Sequence, residues 1–276
     1  MNMMTAFARC LALAAGVLVV LPAQAVEQAV VNEGDTGYLV GASMASSSSH
    51  IGNGKVSYDF KPMFAFQLGP VRVSRSRARG LMSAGKERLE TGLSTEFDVF
   101  SDWRLSASLR LDNGRSFKGD PLLEVLPDVR TTARLRLSTG RPLGERWSWN
   151  ASVDQDLLGR QGGLRLSQGF GYRLPLSEKT YWDFSAGSTF GNQQYLQTQY
   201  GISRATTLAT GREGYEMRGG WESVRMDAQV THVIDKHWVA FGGVDLSRLM
   251  SGASRSPLVG RVTTHGVSIG LAYRSK

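Results

Sequence analysis

The chain has 276 residues, including 32 glycines, 8 prolines and 1 cysteine, and 32 Lys and Arg against 24 Asp and Glu give it a formal charge of +8. A single cysteine excludes an internal disulfide framework and a zinc site built on thiolates. A hydrophobic share of 41 % is enough for a folded body and excludes wholesale disorder.

The amino terminus reads as an export signal. Met1 to Arg9 carries one positive charge, Cys10 to Leu21 is apolar, and Ala23-Gln24-Ala25 is a small-x-small cleavage site. The apolar run is too short for a spanning helix. Phe7-Ala8-Arg9 before Cys10 lacks the small and apolar residues that lipidation needs. These features predict a signal peptide over 1–25, a periplasmic segment over 26–35 and a folded body over 36–276.

That body alternates with a period of two. Trp103, Leu105, Ala107, Leu109 and Leu111 interleave with Arg104, Ser106, Ser108, Arg110 and Asp112. Such a segment is a strand with one apolar and one polar face. Val129, Thr131, Ala133, Leu135 and Leu137 interleave with Arg130, Thr132, Arg134, Arg136 and Ser138 in the same way. So do Trp147 to Asp154 and Val267 to Arg274, and no helical period competes with these runs. Strands are predicted near 36–44, 56–68, 70–77, 89–100, 103–112, 129–139, 146–157, 164–174, 180–190, 217–232, 236–249 and 261–275. The pattern is weakest between 180 and 232.

The connections sort by length. Gly69-Pro70, Ser101-Asp102, the stretch around Arg141-Pro142, Pro175 to Lys179 and Asp235-Lys236 are short. Ala45 to Lys55, Ala78 to Arg88, Asn113 to Asp128, Gln155 to Gly163, Gly191 to Glu216 and Met250 to Gly260 are longer, and the two kinds alternate. A soluble β-sandwich also gives alternating strands, but its turns have no reason to sort by length. Outer-membrane barrels have short periplasmic turns and longer external loops. The predicted fold is therefore all-β: a closed antiparallel transmembrane barrel of about twelve strands, with ten as the alternative. Closure removes the strand edges that lipid cannot solvate.

Arg104, Arg110, Arg130, Arg134 and Arg136 share the polar face of neighbouring strands, and Glu96 and Asp98 lie on the polar face of the strand before them. Two arrangements follow: a basic lumen favouring anions, or a plugged interior in which arginines pair with carboxylates. Arg75, Arg77 and Arg79 continue the lipid-facing side of Val71 and Val73, where guanidinium groups at the outer rim would meet lipopolysaccharide phosphates or simply be solvated. His50-Ile51-Gly52-Asn53-Gly54 is similar to the His-x-Ser-Asn-Gly string of the outer-membrane phospholipase, but Gly52 stands where the nucleophilic serine belongs. The other histidines show no metal-ligand spacing. The basic residues are dispersed over an exported chain, which argues against nucleic acid.

The last third carries a family resemblance. Tyr200-Gly201-Ile202-Ser203 and Ala205, Trp238, Ser247-Arg248-Leu249, Ser256-Pro257-Leu258-Val259 and Gly270-Leu271-Ala272-Tyr273-Arg274 follow one another in an order that resembles the MipA/OmpV family. Upstream, Lys61-Pro62 before Met63-Phe64-Ala65-Phe66 is similar to that family's second-strand segment. The resemblance implies an outer-membrane β-barrel and, by analogy with the founding member, a scaffold linking a lytic transglycosylase to a penicillin-binding protein; other members are described as adhesins or surface antigens. Ser275 and Lys276 depart from the family's terminal aromatic residue, which implies either less efficient assembly or that Tyr273 alone carries the signal for the barrel assembly machinery. The expectation is a monomeric barrel in the outer membrane of a Gram-negative cell, touching membrane lipid and lipopolysaccharide, without cofactor or enzyme activity. Its expected role is structural or interactive. An Arg-lined pore or solute-binding barrel is the alternative, and a lipid hydrolase comes third.

Overall fold

The computed structural model describes residues 37–52, 54, 56–68, 71–75, 92–100, 103–114, 128–210 and 213–275. The signal peptide, the segment 26–35, Arg77 and Arg79 lie outside them. Twelve strands follow one another: β1 (Gly37–Ser48), β2 (Val56–Leu68), β3 (Val71–Arg75), β4 (Gly92–Phe100), β5 (Trp103–Asp112), β6 (Thr132–Pro142), β7 (Trp147–Asp156), β8 (Leu164–Pro175), β9 (Thr180–Gly191), β10 (Gly220–Val233), β11 (Trp238–Leu249) and β12 (Thr263–Arg274). Each pairs with its sequence neighbours and β12 returns to β1, closing the barrel. Every pairing is antiparallel.

The fold is the twelve-stranded alternative of the two. Among the described residues, the short connections 143–146, 176–179 and 234–237 lie at one end of the barrel and the longer ones 157–163, 192–219 and 250–262 at the other. The stretches 69–70, 76–91, 101–102 and 115–127 lie outside the described residues. The longest connection differs from expectation. It contains two short helices, α1 (Gln193–Tyr200) and α2 (Arg204–Thr210).

Alternation sets the two surfaces. On β5, Trp103, Leu105, Leu109 and Leu111 are exposed on the outer wall, while Arg104, Ser106, Ser108, Arg110 and Asp112 turn inward. The same outer band continues through Met44, Phe60, Val244 and Ile269. At the turn end this band closes in a ring of aromatic residues. Trp103, Trp147 and Trp238 each open a strand after a short connection. The Trp147 and Tyr172 rings lie 4.8 Å apart, and Trp238 meets the Tyr273 ring edge-on at 5.3 Å. Such girdles sit at the membrane interface, where an amphipathic ring is stable.

The interior is not uniformly polar. Near the turn end, Leu39, Met63, Ala65, Val239, Phe241 and Ala272 form a buried apolar cluster between β1, β2, β11 and β12. A bare glycine makes room for it. A Cβ on Gly270 would fall 2.3 Å from Phe241 Cζ, so this position tolerates only the bare backbone. Sequence alternation predicts a polar lining here, but small neighbours let large apolar residues turn inward and pack on one another.

Candidate functional site

The charged face of β5, β6, β7 and β8 forms a ladder of ion pairs. Arg136 stands opposite Asp154 in the β6–β7 register and grips it with two hydrogen bonds, Nε to Oδ1 at 2.8 Å and Nη2 to Oδ2 at 2.9 Å. Asp154 is 1 % exposed, and Arg110 Nη1 lies 3.8 Å from its Oδ1. Arg134 donates from Nε to Asp112 Oδ2 at 2.7 Å and from Nη2 to the Gly162 carbonyl at 3.0 Å. Nearer the turn end, Arg173 forks onto Asp183 at 2.7 and 2.9 Å and lies over the Tyr181 ring. Paired geometry of this kind offsets the cost of taking both charges out of water.

Asp156 works differently, by ordering a loop. It accepts from the Thr132 hydroxyl, from Gly162 N–H at 2.8 Å and from Leu158 N–H at 3.0 Å. That fixes the 157–163 connection directly above the ladder. Gly163 has φ +56° there, and a Cβ on it would meet Tyr195 N at 2.4 Å. The position requires glycine both for its backbone and for the helix beside it.

Above the ladder the loop-end connections interlock. Asn192 caps α1: its Oδ1 accepts from Tyr195 N–H at 2.8 Å and also from Leu164 N–H at 3.1 Å. An N-cap side chain satisfies a donor that the first helical turn leaves open. The cap thus holds the helix to the start of β8. Tyr195, Leu196 and Tyr200 of α1 are buried with Met217, Leu249 and Ala253. Ile202 packs on Leu258, and Ser256 Oγ donates to the Tyr200 carbonyl at 2.6 Å.

Both tyrosines reach down to one carboxylate. Tyr195 and Tyr200 each donate a hydroxyl to Glu222 Oε1 at 2.9 Å, and Arg165 Nε stands 3.7 Å from Oε2. Glu222 is 8 % exposed. It points inward because the β9–β10 register shifts between Trp221 and Ser223, a bulge that lets Trp221 stay on the outer wall while the next residue faces in. Burial raises both phenols above the usual tyrosine range. At Tyr200 the Glu222 charge adds to the shift, whereas at Tyr195 the Arg165 cation partly opposes it.

His50 ties the first loop to the last. Its Nδ1 lies 2.9 Å from the Arg261 carbonyl, which can only accept, so that nitrogen carries the proton. Nε2 then faces Thr264 Oγ1 at 3.1 Å and Ser247 Oγ at 3.3 Å. Gly52 donates its backbone N–H to the Leu258 carbonyl, and Ile51 forms a β-bridge with Val259. The string around His50 therefore serves as a latch between loops.

The residues singled out by sequence fall into separate places. Arg104, Arg110, Arg134 and Arg136 stand on the inward face, with Arg104 opposite Asp98 of β4 and Glu96 opposite Ser106. Arg130 does not join them. The last β5–β6 pair is Asp112 with Thr132, so β6 begins two residues beyond Arg130, which is exposed in the preceding connection. Arg75 ends β3 opposite Phe64. Tyr200, Ile202 and Ser256 are buried in the interlocked loops, while Gly201 caps α1 by donating to the Gln197 carbonyl. Ser203 orders the start of α2, its Oγ accepting from Thr206 N–H, and Pro257 follows Ser256 in the same loop. Tyr273 joins the turn-end girdle, stacked on His237 at 5.2 Å. Glu222, Asp154 and Asp112 escape sequence analysis as members of one site, because only register and a bulge bring them together.

Residues 40–275 match the family model described as MltA-interacting protein MipA. None of the curated proteins matches the chain. Solved barrels resemble it in shape. An anion-selective porin from Comamonas acidovorans is 9 % identical, with 87 % of this chain and 98 % of that one covered at a TM-score of 0.39. An outer membrane channel from Pseudomonas putida F1 is 13 % identical, with 88 % and 98 % covered at 0.40. OmpT, an outer membrane protein of Vibrio cholerae, is 8 % identical, with 89 % and 100 % covered at 0.38.

Proposed function

We propose, for a chain that belongs to the MipA family and folds as an outer-membrane-type β-barrel, that its role in the envelope is structural and interactive rather than conductive. In this reading the barrel sits in the outer membrane with its long connections outside and its short turns in the periplasm. The observation that carries it is the seating of Tyr195 and Tyr200 on buried Glu222. A helix pinned by two hydroxyls to the inner wall, above arginines already matched by carboxylates, supports a barrel plugged by its own loops.

The family description, MltA-interacting protein, supports a partner among murein-processing enzymes, and by analogy with the founding member of the family the partners would be a lytic transglycosylase and a penicillin-binding protein. Such partners would meet the turn end. Asp235 shapes one of its turns by accepting from His237 N–H at 2.7 Å and Trp238 N–H at 2.8 Å, and these bonds hold its carboxyl below the usual range.

Conductance of the refolded barrel in a planar bilayer tests the first part, with a silent membrane expected; discrete anion-preferring openings would overturn it. Cross-linking followed by co-purification in mild detergent tests the second, and repeated failure to recover either enzyme would remove the scaffold role. A narrow solute-binding barrel is the second reading. It rests on Arg225, which faces inward, pairs with Asp227 at 3.2 Å and Asp245 at 3.3 Å, and still leaves 51 % of its side chain exposed.

A further inference from the structure

The outer wall carries a concave site that neither the charge ladder nor the loops use. A groove of about 660 Å³ crosses the strands from Trp147 on β7 to His265 on β12, and almost all of its lining is apolar. Its floor is small residues set between large ones. Across the strands Ala186 stands between Phe170 and Met226, and Ala228 between Phe184 and Val244. At the spacing of neighbouring strands, the course from β7 to β12 covers roughly 24 Å, long enough for a whole fatty acyl chain.

Two features select the occupant. The groove is continuous with the lipid-facing band, starting at the turn-end girdle and rising towards the loop end. A second copy of the chain is a poor fit, since two-fold pairing would set groove on groove and leave both unfilled. Beyond the groove's upper end, the next outward position on β11 is Arg248, exposed and paired with Thr263, and His265 lies beside it, opposite Leu246. A phosphate at that height would meet a guanidinium suited to two parallel hydrogen bonds.

We propose that the groove seats one acyl chain of a lipopolysaccharide molecule, with a lipid A phosphate at Arg248. The assignment rests on the loops-outside orientation proposed above, because only then does the cationic end of the groove lie in the outer leaflet.

Native mass spectrometry of the barrel extracted from outer membranes in mild detergent tests it. The unaltered protein is expected to carry one lipopolysaccharide adduct. Ala186→Trp and Ala228→Trp fill the floor and should lower adduct occupancy about tenfold. Arg248→Ala should lower it several-fold, and Ala107→Trp on the distant outer wall of β5 should leave it unchanged. Heat-modifiable migration confirms that each variant has folded. An unliganded wild type, an adduct that survives both tryptophans, a phospholipid in its place, or a dimer would each overturn the site. Labelling of Ser251→Cys in intact cells reports orientation separately. Labelled loops without an adduct would sink the groove alone, whereas unlabelled loops would sink the orientation with it.

Discussion

The two sides of the barrel interior bury their side chains by different physics. Between β1, β2, β11 and β12, Leu39, Val239 and Ala272 are at most 1 % exposed and need no partners beyond close contact. Across the lumen, Asp154 is just as buried and depends on Arg136 and Arg110 for its charge to be tolerated. The apolar side contributes by what it removes from water. The charged side contributes little net energy but fails badly when one member is lost.

That contrast is sharpest at Asp154. Asp154→Ala should cost about 3 kcal/mol by leaving the half-buried guanidinium groups of Arg136 and Arg110 without their carboxylate, read as a shift in the urea midpoint of the barrel in vesicles. Replacing Arg136 and Asp154 together by leucine should recover much of that loss. A single-variant cost near that of an exposed ion pair would erase the distinction between the two sides. On the apolar side, Leu39→Ala should cost about 3 kcal/mol, with no partner whose removal rescues it. Because no pairing links the two sites, the losses should add in the combined variant.

The loops give a pH-dependent version of the same comparison. Tyr195 and Tyr200 have raised folded values, so the stability they contribute is fully present below the unfolded tyrosine value of about 10. It is lost as pH climbs from there towards the folded values. Proteolysis of the loops should therefore rise in alkali before the barrel itself unfolds. Glu222→Gln keeps an acceptor for both hydroxyls but removes the charge, and should bring their ionisation, followed by tyrosinate absorbance, to lower pH. The smallest effect is expected at Asn192. Asn192→Ala should cost about 1 kcal/mol, confined to α1 and the start of β8 and visible as faster amide exchange there.

Strands were the most legible part of the sequence, because a closed barrel with an apolar outer wall and a polar or charged interior imposes a strict period of two. Twelve expected segments correspond to twelve strands, with ends displaced by a few residues, as where β6 starts at Thr132 rather than near 129. The apolar cluster was hidden by the same rule that revealed the strands. In Tyr38-Leu39-Val40 both faces are apolar, so alternation vanishes where the inward face is apolar too. The girdle had a visible sign, a tryptophan opening β5, β7 and β11 directly after short turns. Helix α1 had only a faint one, Tyr195 and Leu196 followed by Tyr200 in a polar stretch. The position of Glu222 had none, since a bulge is a property of two strands and not of one.

The latch at His50 has a consequence for the order of events in assembly. His50 and Arg261 are 211 positions apart in the chain, yet their contact joins the first loop to the last. Contacts that span so much sequence form late, because the intervening chain must first be ordered. The latch is therefore expected to close only after β12 has docked on β1, and the mouth to stay unsealed until then. Sealing on this expectation is self-timed: the strand that closes the barrel on β1 brings with it the bolt for the first loop.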